Sequence, residues 1–116
     1  MIAMLAAMAL LVAPAEGLNG SWSVDLSVKP DEPYFKPMNL VLEEDGVVKG
    51  DFYDSAIIAG RWKMRGDRLC VAFRTTDGAG PYHTAACLVG DRVEGQTWAE
   101  HRDFVFLWTA SRAKAE

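Results

Sequence analysis

Residues that usually carry chemistry are scarce in this chain of 116 residues. It has two cysteines, no Cys-x-x-Cys and only two histidines, His83 and His101. Two cysteines make a poor metal site, and two histidines on different strands do not complete one. Neither histidine has a recognisable nucleophile beside it in the sequence, so no catalytic residue is assigned and the chain is not expected to be an enzyme. Lysine and arginine occur singly, never in runs, and the net charge is −4. That balance excludes nucleic acid and anionic membrane surfaces as expected partners. Helical 3.6-residue spacing of apolar positions is absent, as are internal repeats, low-complexity tracts and any sign of a second domain.

What is present begins with "MIAMLAAMALLVAPA", fifteen residues without a charge. The run is short for a bilayer span, which takes roughly 20 apolar residues. It ends in Ala13-Pro14-Ala15, a pattern of small residues that a signal peptidase can cut. Residues 1–15 are therefore expected to be a signal peptide, without the usual basic n-region, and residues 16–116 a single exported domain, periplasmic or secreted. Nothing later in the chain is long and apolar enough to span a membrane. In an exported chain an even cysteine count favours a disulfide, here Cys70–Cys87.

After Leu18 apolar and polar residues alternate, the period of a half-buried strand. Turn pairs recur at Asp45-Gly46, Gly66-Asp67, Asp77-Gly78 and Gly90-Asp91. Strands are expected over 20–28, 38–43, 47–54, 56–65, 68–75, 81–89, 92–99 and 103–110. Eight consecutive strands joined by tight turns favour an all-β fold, an eight-stranded antiparallel up-and-down barrel, because closure removes exposed edges. An immunoglobulin-like sandwich needs longer crossovers than these hairpins allow.

The alternation assigns an inward face: Trp22, Val24, Leu26, Met38, Leu40, Leu42, Val48, Phe52, Ile58, Trp62, Met64, Leu69, Val71, Phe73, Ala86, Leu88, Val93, Phe104, Phe106 and Trp108. A two-residue loop at Gly78-Ala79 sets partners whose numbers sum to 157, which places Cys70 directly opposite Cys87. Both then lie on the face opposite Leu69, Val71 and Phe73. The last strand, "FVFLWTA", is apolar on both faces. Its outer residues Val105 and Leu107 call for a cover, and a homo-oligomer through strand 103–110 is one way to provide it.

The first strand, "LNGSWSVDL", resembles that of the calycins, the superfamily of lipocalins, fatty-acid-binding proteins and avidins. Gly20 and Trp22 match the Gly-x-Trp of lipocalins, and Leu18, Gly20, Trp22 and Leu26 match the longer avidin pattern. "DGVVKGDFYDSAI" is similar to the third avidin strand, with Gly46, Val48, Gly50 and Phe52 on its repeat. The resemblance implies a barrel that holds a small ligand. It does not imply biotin: Val24 stands where avidins have asparagine, Phe52 where they have tyrosine and Asp54 where they have threonine. A buried ureido group without partners costs about 1–3 kcal/mol.

An eight-stranded barrel either fills with side chains or holds one small ligand. Gly50, Gly60, Thr84, Ala86, Gly95 and Thr97 fall on the inward phase, where small residues either leave space or let the strands coil tightly. If there is space, Asp54, Tyr82, Thr84 and Thr97 are the candidate polar contacts to a small, partly apolar ligand, and Phe52, Trp62, Phe73 and Trp108 its walls. No cofactor is implied. The loop "KPDEPYFKP" places Tyr34 and Phe35 on a proline-stiffened segment that can close the barrel mouth, cap it, or meet a partner protein. The reading from another class is a protein-binding module such as a periplasmic metalloproteinase inhibitor, which shares the barrel, the Gly-x-Trp start and one disulfide. Against it stands the short "EGL" that separates Ala15 from Asn19, and the late position of the cysteine pair.

Overall fold

The computed structural model describes residues 17–114. The expected signal peptide lies outside these described residues. Among the described residues nine antiparallel strands follow one another: β1 (Gly20–Asp25), β2 (Phe35–Leu42), β3 (Val47–Phe52), β4 (Ser55–Ala56), β5 (Ile58–Arg65), β6 (Arg68–Thr76), β7 (Pro81–Val89), β8 (Arg92–Ala99) and β9 (Phe104–Arg112). β4 is a two-residue stub on β3. The other eight form a closed up-and-down barrel, with β3 pairing onward to β5, and β1 joining β2 on one side and β9 on the other.

Each turn pair read from the sequence falls between strands. Gly66-Asp67 and Gly90-Asp91 are two-residue connections, since Arg65 pairs with Arg68 and Val89 with Arg92. The β6–β7 loop is longer than expected: pairing stops at Thr76 opposite Pro81, leaving four residues in the loop. Its centre is still Gly78-Ala79, so the register is as expected and Cys70 lies opposite Cys87. The two form a disulfide, with Cα atoms 4.0 Å apart. Removing it by a double serine replacement is expected to cost roughly 3 kcal/mol, the chain-entropy value for a loop of about 18 residues. The midpoint of urea unfolding should fall accordingly, and the slope should rise, because the denatured chain without the bridge is more expanded. An unchanged midpoint would show that the hairpin is already fixed by its ladder.

The core is the inward alternation. Leu18, Trp22, Val24, Met38, Leu40, Leu69, Val71 and Val93 are almost wholly buried. Three expectations shift. β2 begins at Phe35 rather than 38, because β3 accompanies it only from Met38 onward, leaving Pro37 on a free side where no donor is needed. Ile58 is 39% exposed instead of inward. A bulge between Ile58 and Arg61 inserts one residue, Ala59 takes φ 55°, and the phase reverses, so that Ile57 packs on the core in its place. Phe104 is on the inward phase but 46% exposed, because the wall ends there. It stands at the barrel rim with its ring 4.7 Å from that of Phe106.

The small inward residues do not mark an empty middle. A Cβ on Gly95 would lie 2.4 Å from Trp108 Cζ2, so the indole occupies that space. At Gly60 it would lie 2.5 Å from the Val48 carbonyl, and at Gly50 it would collide with the Asn39 carbonyl. Here small residues let strands and one large ring approach closely. The barrel waist is packed at these positions, and one end holds a cavity.

Candidate functional site at the barrel mouth

The end that carries the β3–β4, β6–β7 and β8–β9 connections encloses a cavity of about 160 Å³. Phe52, Ser55, Thr75, Tyr82, Thr97 and Phe106 line it from the strands, and Tyr53, Asp77 and Arg102 from the connections. Below it the ring of Phe52 packs 5.6 Å from Phe73 and 5.3 Å from Trp108. An apolar floor is therefore continuous with the packed waist. Thr75 and Thr97 are buried. The Trp108 Nε1–H donates to Thr97 Oγ1 at 3.0 Å, and the Thr84 and Thr97 hydroxyls share a hydrogen bond of 2.9 Å. A hydroxyl has one donor and two acceptor positions, so Thr97 keeps one position for the cavity.

The rim is built from paired side chains. Tyr53 and Asp54 form a two-residue turn between Phe52 and Ser55, both at positive φ (54° and 64°), a conformation that glycine and asparagine adopt more cheaply. Such strain persists where the surroundings over-determine it. Here the Tyr53 hydroxyl shares a hydrogen bond with that of Tyr34, and Lys36 Nζ bonds Asp54 Oδ2 at 2.8 Å. The bond to Tyr34, followed by partial burial, raises the Tyr53 pKa, while the bond to Asp54 raises that of Lys36. Across the mouth the Tyr82 hydroxyl donates to Asp77 Oδ2 at 2.7 Å and accepts from Arg102 Nη1 at 3.2 Å. The His101 ring stacks edge-on against Tyr82 at 5.0 Å, from the short 3-10 turn Glu100–Arg102.

The Tyr82 hydroxyl, then the Ala79 N–H, hold the Asp77 carboxyl below the ordinary carboxylate range. A depressed folded-state pKa stabilises the fold above the unfolded value, and that contribution fades as pH falls through the folded one. The Asp77 carboxyl carbon resonance should therefore titrate with a midpoint below about 3.9, the ordinary aspartate value, and Tyr82→Phe should move that midpoint upward. A wild-type midpoint at or above the ordinary value would show that these hydrogen bonds do not hold the carboxylate.

Of the residues expected at the site, Phe52, Tyr82 and Thr97 line the cavity. Phe73, Thr84 and Trp108 lie directly beneath it. Trp62 does not take part: its Nε1–H donates to the Glu43 carbonyl at 2.6 Å, at the opposite end of the barrel. Asp54 is also corrected. Its side chain is 62% exposed and turned to Lys36, because the tight turn puts it outside the wall. Tyr34 sits on the rim, but Phe35 falls on the outward phase of β2 and is 52% exposed. Thr75 and Phe106 were legible from alternation. Tyr53, Asp77 and Arg102 belong to connections, where periodicity carries no signal, and Ser55 to the two-residue stub β4, which is too short to show a period.

Among the described residues no three His, Cys, Asp or Glu side chains converge on a point that suits a metal ion. None of their helices is long and apolar enough to cross a membrane. No family model, curated protein or solved structure matches this chain.

Proposed function

We propose that this chain is an exported, calycin-like barrel that holds a compact, partly apolar molecule in its mouth. The observation that carries the reading is the cavity itself: about 160 Å³, aromatic below and ringed by hydroxyls. A cavity of about 150 Å³ accommodates a single benzene ring, so the ligand is of single-ring size. Its apolar body rests against Phe52 and Phe106. Its polar edge meets Thr75, Thr97 and the Tyr53 and Tyr82 hydroxyls, which supply direction without a net charge. The bridge Cys70–Cys87 supports the export reading, since disulfides persist in oxidising compartments.

Phenol and indole at millimolar concentration are the probes. Saturation-transfer NMR should show both binding to the wild type. Thr75→Leu fills the cavity from its wall, and should keep the melting temperature while abolishing transfer. Ala86→Leu addresses the packed waist beside Trp108, and there the added methylenes should cost about 1–3 kcal/mol. A wild type that shows no transfer from either compound overturns the reading.

A further inference from the structure

Two ionised side chains, Asp77 and Arg102, line the mouth cavity. Its hydroxyls carry no net charge, so these two decide what charge the mouth accepts. Asp77 is engaged within the protein. Its Oδ1 accepts from the Ala79 N–H at 2.9 Å, and its Oδ2 from the Tyr82 hydroxyl at 2.7 Å. A tyrosine has one hydroxyl proton, and Tyr82 places it on that bond. The Tyr82 oxygen accepts from Arg102 and has nothing left to donate.

Arg102 is in the opposite condition. A guanidinium has five N–H donors in a fixed fork, and Arg102 gives one of them, from Nη1, to Tyr82. It is exposed at the rim. The ion pairs among the described residues are Lys36–Asp54, Lys49–Glu43 and Arg92–Glu94, so Arg102 is in none of them. Asp77 meets it only through the shared Tyr82 oxygen, and Glu100 and Asp103 flank it in the chain without pairing to it. Across the opening Lys36 has its own carboxylate in Asp54, and the Tyr34 and Tyr53 hydroxyls are bonded to each other. The one unpaired ion that lines the cavity therefore offers donors only.

Building on the reading of the mouth as a ligand site, we infer that its occupant is a single-ring carboxylate, with the ring against Phe52 and Phe106 and the carboxylate on the Arg102 fork. A carboxylate only accepts hydrogen bonds, and it matches a guanidinium two bonds at a time. A phenol has one oxygen to offer and leaves the second arm of the fork to water. An ammonium brings a like charge to Arg102 and finds both Asp77 oxygens already bonded. The cavity of about 160 Å³ takes the ring. The charged group stands at the rim, so it keeps its contact with water and avoids the cost of burial.

The test compares benzoate with benzamide, which has nearly the same shape and no charge, by NMR titration of the Thr97 and Phe106 amides in the full oxidised chain. At pH 7 and low salt benzoate should bind about fivefold more tightly, the scale of an exposed ion pair, and added salt should shrink that ratio. Arg102→Gln should bring the ratio close to one. Asp77→Asn removes a negative charge beside the guanidinium and keeps an acceptor for Tyr82, so it should raise the ratio. Acidification should lower it as benzoate takes up its proton near pH 4, the ordinary carboxylic range, whereas protonation of His101, edge-on to Tyr82, can only raise it. Matching melting curves verify the fold of each variant. Arg61, Lys63 and Arg65 of β5 with Arg68 and Arg74 of β6 are exposed and make a basic face on the outer wall, the other place where an anion can collect. Three results overturn the inference while the mouth remains a ligand site: benzamide bound as tightly as benzoate, benzylammonium bound more tightly than either, or benzamide at Thr97 with benzoate shifts confined to the basic face. Thr97 and Phe106 unmoved by all three compounds would overturn the mouth reading itself.

Discussion

Alanine at position 50 is expected to remove a large share of the protein's stability. Gly50 sits in β3 opposite Leu40, at φ 131°, a region that side chains rarely enter. An added Cβ would overlap the Asn39 carbonyl oxygen of the neighbouring strand, and the clash is with backbone, which cannot rotate aside. Backbone strain of this type costs about 1–3 kcal/mol and overpacking about 1–3 kcal/mol more. The two add because relieving one worsens the other: returning φ to the β region breaks the pairing that draws β2 and β3 together. Against a total stability of about 5–15 kcal/mol, a loss of about 4 kcal/mol is a large share. Circular dichroism melting should show a midpoint lowered by well over 10 °C, or no cooperative transition. The Ala59→Gly change provides the contrast. Ala59 pays left-handed strain at φ 55° within the β5 bulge, so glycine there should be neutral or stabilising.

Glycine at position 50 shows what the alternation pattern can and cannot convey. Small inward residues are compatible with a hollow barrel and with tightly coiled strands, and only the distances decide between them. At Gly50, Gly60 and Gly95 the space belongs to a neighbouring backbone or to the Trp108 ring. The strands themselves were legible because turn pairs and period-two alternation are local. The Cys70–Cys87 register was legible because it follows from the hairpin centre alone. Ile58 was misplaced because a bulge is a non-local compromise between β5 and its neighbours, and one inserted residue reverses every assignment on its far side. The mouth was half legible for the same reason. Thr97, Phe52 and Tyr82 are fixed by strand phase, whereas Asp77 and Arg102 reach Tyr82 from two separate connections that only the closed ring brings together. The basic face is the converse case. Single cations, dispersed through the chain, become a strip because β5 and β6 are adjacent and in phase.

Trp22→Ala is expected to cost about 3–5 kcal/mol, the range for removing a large buried aromatic. The indole is 1% exposed, at the end of the barrel opposite the cavity, and it links the residues just before β1 to β9. Its Nε1–H donates to the Leu18 carbonyl at 3.0 Å. The Arg112 guanidinium, from the last strand, lies 4.1 Å over the ring and donates to the carbonyls of Gly17 and Asn19. Gly20, at φ 114°, lets that guanidinium pass where a Cβ would stand 2.8 Å from Nη1. Removing the ring therefore empties a core position, frees one carbonyl and withdraws the surface on which the arginine rests, a cation–π contact of about 0.5–2 kcal/mol. Trp22→Phe separates these parts: it keeps most of the volume, loses the hydrogen bond to Leu18 and weakens the contact with Arg112, for about 1–2 kcal/mol in all. Arg112→Met keeps an apolar cover over the indole without the charge or its three-way tie to Gly17, Asn19 and Trp22. If closure of the ring between β1 and β9 depends on this clasp, hydrogen exchange in Arg112→Met should accelerate first at Ser23 and Ser111, which lie opposite one another across that seam. Exchange that accelerates uniformly over all strands would instead show that the barrel opens as a single unit and that the clasp contributes only to its total stability.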